Sequence, residues 1–264
     1  MYLAHTDRDT ALLQLARRAA HMAGDLLLQG AAEGRPTTLT KSSPTDLVTV
    51  YDQRSEECIV ELLTAHRPDD GILGEEGGER PGGSGVRWVI DPLDGTANFV
   101  SGYPAFAVSL AAERAGVTQV GVVYDPCRRE TFTAIRGQGA MCNGRPLTAS
   151  RADRLEQALV STGFSTDSEV RHHQAECAAR VVPRVRDLRG SGSAALDLCW
   201  VAAGRLDGYY EADIRPWDRA AGALIAQEAG AWVGGAAGAP PDDALTLACA
   251  PALAERLRAL VGAE

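Results

Sequence analysis

Trp88-Val89-Ile90-Asp91-Pro92-Leu93-Asp94-Gly95-Thr96-Ala97-Asn98-Phe99 is the stretch on which the fold of this 264-residue chain turns. Val86, Trp88 and Ile90 alternate with Arg87 and Val89, the pattern of a strand with one well-buried face. Pro92 has no backbone N–H, so an interior ladder is expected to stop there. Asp91 and Asp94 are then held close on a bend, with the Leu93 carbonyl between them. Two carboxylates and a carbonyl are hard oxygen donors, suited to Mg²⁺ or Ca²⁺ rather than zinc. Gly95-Thr96 follow, with backbone N–H groups of the kind that hold a phosphate. Standing alone, D-x-x-D-G-T is in most proteins an ordinary Asp-Gly turn capped by an Asp side chain. The rest of the chain has to decide between the two.

Hydrophobic residues make up 45% of the chain, which predicts a folded globular protein of one large domain or two modest ones. The formal net charge of −9 argues against a nucleic-acid groove, which needs clustered Lys and Arg. Six cysteines (Cys58, Cys127, Cys142, Cys177, Cys199 and Cys249) form no C-x-x-C pair and read as reduced, packed thiols of a cytoplasmic protein. His172-His173 are adjacent and do not share a helix face, so a surface pair is expected rather than a metal site. Met1 to Asp9 carries two acids and no apolar core, unlike a signal peptide. No apolar run approaches the ~18 residues of a membrane span, so no membrane association is expected.

Upstream of the opening stretch the periodicity is helical. Leu12, Leu15, Ala16, Ala19, Ala23, Leu26 and Leu27 recur at steps of three and four, predicting a helix from about Asp9 to Gln29. A second helix is expected from about Asp52 to His66, with Ile59, Val60, Leu62 and Leu63 buried and Asp52 at the N-cap. Ile72-Leu73-Gly74 reads as a short strand delivering Glu75 and Glu76 into a glycine-rich segment, and Glu79 to Gly85 as a loop. Downstream, strands are predicted over Ala105 to Ala112, Val117 to Tyr124 and Glu130 to Ile135. Near Ala149-Ser150 the pattern changes to alternating strands and helices. Ala158 to Ser161, Val185 to Leu188, Leu206 to Glu211 and Thr246 to Cys249 read as strands. Ser168 to Arg180, the segment opened by Gly190-Ser191-Gly192-Ser193, Pro216 to Ala229 and Pro251 to Val261 read as helices. The Gly/Ser run is either a plain helix cap or an anion-binding start.

Acids thus stand at strand ends or helix starts in four separated places: Glu75, Asp91 with Asp94, Glu211, and Asp218. Each has an ordinary explanation on its own, Asp218 as a helix N-terminal acid for example. Together with their surroundings they closely resemble the inositol monophosphatase family. The matching pieces are Lys41 to Asp52, Gly74-Glu75-Glu76, Trp88 to Phe99, Gly121 to Tyr124, Gly139 to Gly144 and Trp217-Asp218, in family order. D-P-L-D-G-T with G-E-E upstream and W-D downstream is far more specific than any of its parts.

The resemblance implies a layered α-β-α-β-α fold of mixed α/β class. Residues 1–150 would supply a larger mixed sheet and most metal ligands, and residues 151–264 a smaller sheet, the substrate contacts and the last ligand. It implies a Mg²⁺-dependent, Li⁺-sensitive phosphomonoesterase, usually a homodimer. Two or three Mg²⁺ ions, replaceable by Mn²⁺, would bind Glu75, Asp91, Asp94, Asp218 and the Leu93 carbonyl. Glu75 and Thr96 would activate the attacking water, and the Gly95 and Thr96 amides would hold the phosphate. Gly192, Ser193, Ala194, Glu211 and Asp218 would lie on the substrate side, with Lys41 and Asp52 as accessory residues.

The expected reaction is direct attack of a metal-activated water on myo-inositol monophosphate or a related sugar or polyol phosphate. Fructose-1,6-bisphosphatase, histidinol-phosphate phosphatase and a phosphatase of a specialised biosynthetic pathway are alternatives within the class. A regulatory protein-binding role is the alternative outside it. Two departures bear on substrate. Ala97 stands where a second Thr is common, and Ala97-Asn98 replaces the Lys-Gly of relatives acting on bisphosphonucleotides. Arg215 is either a contact for a second anionic group or a surface charge.

Overall fold

The computed structural model describes residues 2–34, 38–40 and 47–262. Lys41 therefore lies outside the described residues. Helix α1 (Tyr2–Ala32) begins earlier than the helix expected from about Asp9. An antiparallel pair, β1 (Thr38–Thr40) and β2 (Leu47–Thr49), leads into α2 (Val50–His66). The N-cap of α2 is Thr49, not Asp52. Asp52 occupies the third helical position and reaches back to accept the Thr49 N–H at 2.7 Å, while the Thr49 hydroxyl accepts from Tyr51 N, a capping box.

An eight-stranded sheet follows: β3 (Gly71–Gly74), β4 (Gly78–Arg80), β5 (Val86–Asp94), β6 (Ala107–Arg114), β7 (Val117–Asp125), β8 (Glu130–Ile135), β9 (Ala140–Cys142) and β10 (Arg145–Pro146). The short helix α3 (Thr96–Ser101) stands between β5 and β6. The spatial order is β10-β9-β8-β7-β6-β5-β3-β4, with β3 and β5 the parallel pair. Part of the segment expected as a loop from Glu79 is therefore the edge strand β4, which pairs antiparallel with β3.

Two expectations for β5 need correction. Its two faces are both buried. Trp88 and Ile90 pack with α1 and α2 residues such as Leu12, Ala19, Ile59 and Leu63, while Val89 joins a second cluster with Leu196, Leu198 and Leu224. Nor does the strand stop at Pro92. Asp91 pairs with Ser109 and Asp94 with Ala107, and the register shift between them is a bulge. Pro92 and Leu93 stand outside the ladder there, so the missing N–H of Pro92 is not needed.

The second half builds α4 (Ser168–Val181), α5 (Ala194–Ala202), α6 (Pro216–Glu228) and α7 (Ala254–Val261) around a five-stranded sheet. Its strands are β11 (Leu159–Thr162), β12 (Asp187–Arg189), β13 (Gly208–Glu211), β14 (Trp232–Gly234) and β15 (Thr246–Cys249), in the order β12-β11-β13-β15-β14. Strand β14 was not expected from the sequence. Three residues give too short a run for its alternation to register.

Helices α1 and α2 cover one face of the large sheet, and α5 and α6 lie between the two sheets. Helices α4 and α7 close the outer face of the small sheet with Val160, Val181, Leu247 and Leu257. The result is an α-β-α-β-α sandwich. The middle layer is tight: a Cβ on Gly121 of β7 would sit 2.8 Å from the Ala221 carbonyl of α6. No helix among the described residues is long and apolar enough to cross a membrane. All six cysteines are free thiols.

Candidate active site

The β5 bulge does the first piece of construction. Asp91 pins it by accepting the Leu93 N–H on Oδ1 at 3.0 Å. The chain then leaves β5 through Gly95, whose φ of 97° is open to glycine and strained for other residues. A Cβ there would also lie 3.0 Å from the Ala105 carbonyl and 3.1 Å from that of Gly192. Gly95 thus lets the end of β5 close against the loop before α5. Asn98 on α3 secures the closure, donating through Nδ2 to Ala105 O at 2.6 Å and Ser191 O at 2.7 Å.

Asp94 is gripped from across that junction. Its Oδ2 accepts the Ser193 hydroxyl at 2.6 Å and the Ala195 amide at 2.7 Å. Ser193 is also the N-cap of α5, its Oγ accepting from Leu196 N. Both of these bonds fall on Oδ2. Thr96 sits on the first turn of α3, where amides have no intrahelical acceptor. Its hydroxyl lies 2.9 Å from Asp52 Oδ1 and 3.1 Å from the Leu93 carbonyl. Asp52, expected as an accessory residue, is fully buried and is the direct partner of Thr96.

Glu75 follows β3 directly, and its N–H donates to Ile90 O at 3.2 Å, adding one rung to the parallel pairing. Asp218 is the third residue of α6 and accepts the Arg215 N–H at 2.6 Å. Glu211 ends β13, and its Oε2 accepts the Tyr209 hydroxyl at 2.9 Å. A Cβ on Gly163 would lie 2.1 Å from the same oxygen, so a glycine is what makes room for Glu211.

Electrostatics show how closely the acids crowd. Burial, then the charges of Glu75, Asp94 and Asp218, hold the Asp91 carboxyl well above the usual carboxylate range. Asp94 is pushed up to about 6 by burial, against the hydrogen bonds of Ser193, Ala195 and Ala194. Asp218 is pushed up to about 8 by burial and by Asp94, although a hydrogen bond with Asp91 favours its ionised form. Glu211 is pushed up to about 8 by burial and by the neighbouring acids, against its bond from Tyr209. Glu75, Asp91, Asp94 and Asp218 therefore share one electrostatic neighbourhood.

A cavity of about 620 Å³ opens here, lined by Glu75, Asp94, Gly163, Phe164, Gly192, Ser193, Ala194, Glu211, Arg215 and Asp218 among others. Arg215 is half-exposed at its rim and pairs with Asp243 at 3.3 Å and Asp213 at 3.7 Å. Among the described residues no three His, Cys, Asp or Glu side chains already close on one point as a metal array. The donor chemistry nevertheless fits a hard divalent cation. The four acids and the Leu93 carbonyl are all oxygen donors, and the repulsion that raises Asp91 and Asp218 is what such a cation relieves.

Sequence reasoning passed over several residues of this site. Asn98 lay inside the motif without a role. Glu56 accepts the Glu76 and Gly77 amides from α2, and Ser55 donates to the Pro92 carbonyl at 2.8 Å. Their helical spacing from Asp52 was the available signal. Asp197 is buried on α5 and pushed up to about 7, by burial first and partly by Asp94, against hydrogen bonds from Ser191.

Comparisons with known proteins place the sequence and its fold. The profile of the inositol monophosphatase family matches residues 9–263. Inositol-1-monophosphatase SuhB of Mycobacterium tuberculosis is 47% identical over 244 residues, covering 87% of this chain and 82% of that protein. Nus factor SuhB of Pasteurella multocida is 45% identical over 224 residues, 84% of each chain. The crystal structure of the extragenic suppressor protein SuhB from Bartonella henselae superposes with a TM-score of 0.91 at 35% identity, covering 96% of this chain and 99% of the other. The family is generally metal-dependent. On a match that spans nearly the whole sequence and the same layered fold, this chain belongs to the inositol monophosphatase family and is a phosphoric monoester hydrolase.

Proposed function

We propose that the chain hydrolyses myo-inositol monophosphate, or a related sugar or polyol phosphate, with Mg²⁺ held by Glu75, Asp91, Asp94, Asp218 and the Leu93 carbonyl. The observation that carries this reading is the crowding of Glu75 and Asp94 against Asp91 and Asp218, whose carboxyls they raise, beside a cavity that also takes in Glu211. The similarity to a protein named inositol-1-monophosphatase supports the inositol ester as substrate. Bound at these oxygens, two or three Mg²⁺ ions would neutralise the phosphoryl charge, lower the pKa of a water and stabilise the leaving alkoxide.

The protein groups have complementary tasks. Thr96 can spend its one hydroxyl proton on Asp52, which leaves its oxygen to accept an O–H of the attacking water. Glu75 is then the carboxylate to take up the second proton of that water. The Gly95 and Thr96 amides would hold the phosphate, in a first turn whose donors have no helical acceptor. Glu211, with Gly192 to Ala194, would meet the hydroxyls of the sugar or polyol. A covalent phosphoenzyme has no support, because Ser193 is committed to Asp94 and burial pushes the Cys199 thiol well up. The half-exposed ion pairs of Arg215 favour a surface charge over a second phosphate contact. A cytoplasmic homodimer is the assembly we carry forward, testable by sedimentation.

The test is a panel of phosphate esters assayed for phosphate release with and without Mg²⁺, beside Asp94→Asn. Mg²⁺-dependent release from the inositol ester, absent in the variant, is expected. If no ester is turned over by the wild-type chain, the reading fails and a protein-binding role, as the Nus factor names of relatives suggest, takes its place.

A further inference from the structure

Glu75 leaves β3 into Glu75-Glu76-Gly77-Gly78, a turn with two glycines and a third, Gly74, just before it. Such a backbone has unusual freedom, and freedom here would spread the position of Glu75. One carboxylate opposes it. Glu56, buried on the second turn of α2, accepts the Glu76 amide on Oε2 at 2.9 Å and the Gly77 amide on Oε1 at 2.6 Å. Each oxygen takes one amide, so the carboxylate spans two successive peptide units as a two-pronged clamp. The glycines are shaped to it. A Cβ on Gly74 would lie 2.6 Å from Glu56 Oε2, and a Cβ on Gly77 would lie 2.6 Å from Oε1. The same glycines that loosen the turn admit the group that fixes it.

Helix α2 also reaches the rest of the machinery from the same face. Asp52 takes the Thr96 hydroxyl, and Ser55 donates to the Pro92 carbonyl within the bulge. Positions 55 and 56 lie three and four residues after 52, on a single helical stripe. Thr96 and Glu75, the pair assigned to the attacking water, are therefore both referenced to one rigid element.

We infer that Glu56 is a positioning residue for Glu75: its carboxylate fixes the Glu76–Gly77 peptides and so sets where the Glu75 side chain enters the site. The inference rests on the phosphatase reading given above. It touches neither substrate nor reacting atoms. A displacement of about 1 Å in such a group costs on the order of 100-fold in rate. Gln at this position keeps the shape of Glu but has one acceptor oxygen, and its NH₂ would meet an amide N–H.

The experiment compares wild type, Glu56→Gln and Glu56→Asp, with Glu57→Gln as the exposed neighbouring control. Amide hydrogen exchange is measured first, on metal-free protein. The Glu76 and Gly77 amides are expected to exchange at least about tenfold faster in Glu56→Gln, with core amides unchanged. Steady-state turnover of the ester with Mg²⁺ is then measured at 25 °C on the variants whose circular dichroism matches wild type. The expected result is a kcat lower by about 10- to 100-fold with KM within about twofold, and no change in Glu57→Gln. A merely structural role would instead lower apparent kcat only in step with the folded fraction, measured in parallel by circular dichroism, and leave kcat per folded molecule at the wild-type value. Unchanged protection of Glu76 and Gly77, or faster exchange with wild-type kcat, overturns the inference. If Glu56→Gln does not fold, Glu56→Asp, which keeps both acceptors on a shorter arm, carries the same two readouts. Absence of turnover in the wild type refutes the phosphatase reading alone, since the exchange measurement still decides whether the clamp exists.

Discussion

Replacing Asp94 by Asn separates the charge of this site from its packing. The Asp94 carboxyl is raised from 3.8 to about 6, chiefly by burial. The sign follows from which state ionises first. As pH rises, the unfolded chain loses this proton near its ordinary value, while the folded chain keeps it until about 6. The fold therefore has its full advantage below the unfolded pKa and loses it as pH climbs through the folded one. Two units correspond to about 3 kcal/mol against the ionised, metal-free fold at neutral pH. Asn removes that charge and can still accept from Ser193 Oγ and Ala195 N through its one oxygen. Those bonds become neutral, which costs about 1 kcal/mol. The net expectation is a gain of about 2 kcal/mol for metal-free Asp94→Asn near pH 7.5, or about 4–8 °C in Tm for a chain of this length. Below about pH 4 the gain disappears, because the wild-type carboxyl is then protonated in both states. The assay is thermal unfolding of chelator-stripped proteins at both pH values, then again with Mg²⁺. Mg²⁺ should raise the wild-type Tm and leave the inactive variant where it was. A metal-free variant no more stable than wild type at neutral pH, or one that still hydrolyses ester, refutes the reasoning.

Further consequences are open to measurement. Mg²⁺ binding near pH 7.5 should release protons, because Asp218 is raised to about 8 and must give up its proton to a cation; binding heats independent of the buffer's ionisation enthalpy would contradict this. Asn98→Ala leaves the Ala105 and Ser191 carbonyls without their donor, which should cost about 1–3 kcal/mol in denaturant unfolding and raise KM through the loosened loop before α5. Gly163→Ala places a methyl against Glu211 and should raise KM more than it lowers kcat, and equal changes in both would remove Glu211 from substrate binding. Gly121→Ala presses on the Ala221 carbonyl and should lower stability by about 1–3 kcal/mol while leaving Mg²⁺ affinity unchanged.

The order of helices and strands was largely legible, because long apolar stripes such as Leu12 to Leu27 and the strand pattern from Val117 to Ile135 are local signals. The handling of Pro92 was not. A missing N–H ends a regular ladder, and only the partner strand reveals that a bulge has taken the proline out of it. The two-sided burial of Trp88, Val89 and Ile90 was hidden for a related reason. Which face of a strand is covered depends on helices far away in sequence, here α1 and α2 on one side and α5 and α6 on the other. The acids were recognisable as a set through the family motifs. Their supports were not, since Ser193 reaches Asp94 across 99 residues and Asn98 reaches Ser191 across 93. Asp52 shows the opposite case: its helix-start position was visible, but not its bond to Thr96.

The long reach between Asp94 and Ser193 has a consequence for how the protein matures. A chain emerging from the ribosome presents every strand of the large sheet, with Glu75, Asp91 and Asp94, before Ser193 and Asp218 have been made. Until then Asp94 lacks the hydroxyl and amide that hold it, and the α5–α6 layer that covers the inner face of the large sheet is missing. The four acids therefore come together only when α5 and α6 dock between the sheets. On the reading proposed above, a chain cut short before α6 keeps Glu75, Asp91 and Asp94 but lacks Asp218, so its Mg²⁺ affinity should be weaker than that of the whole chain.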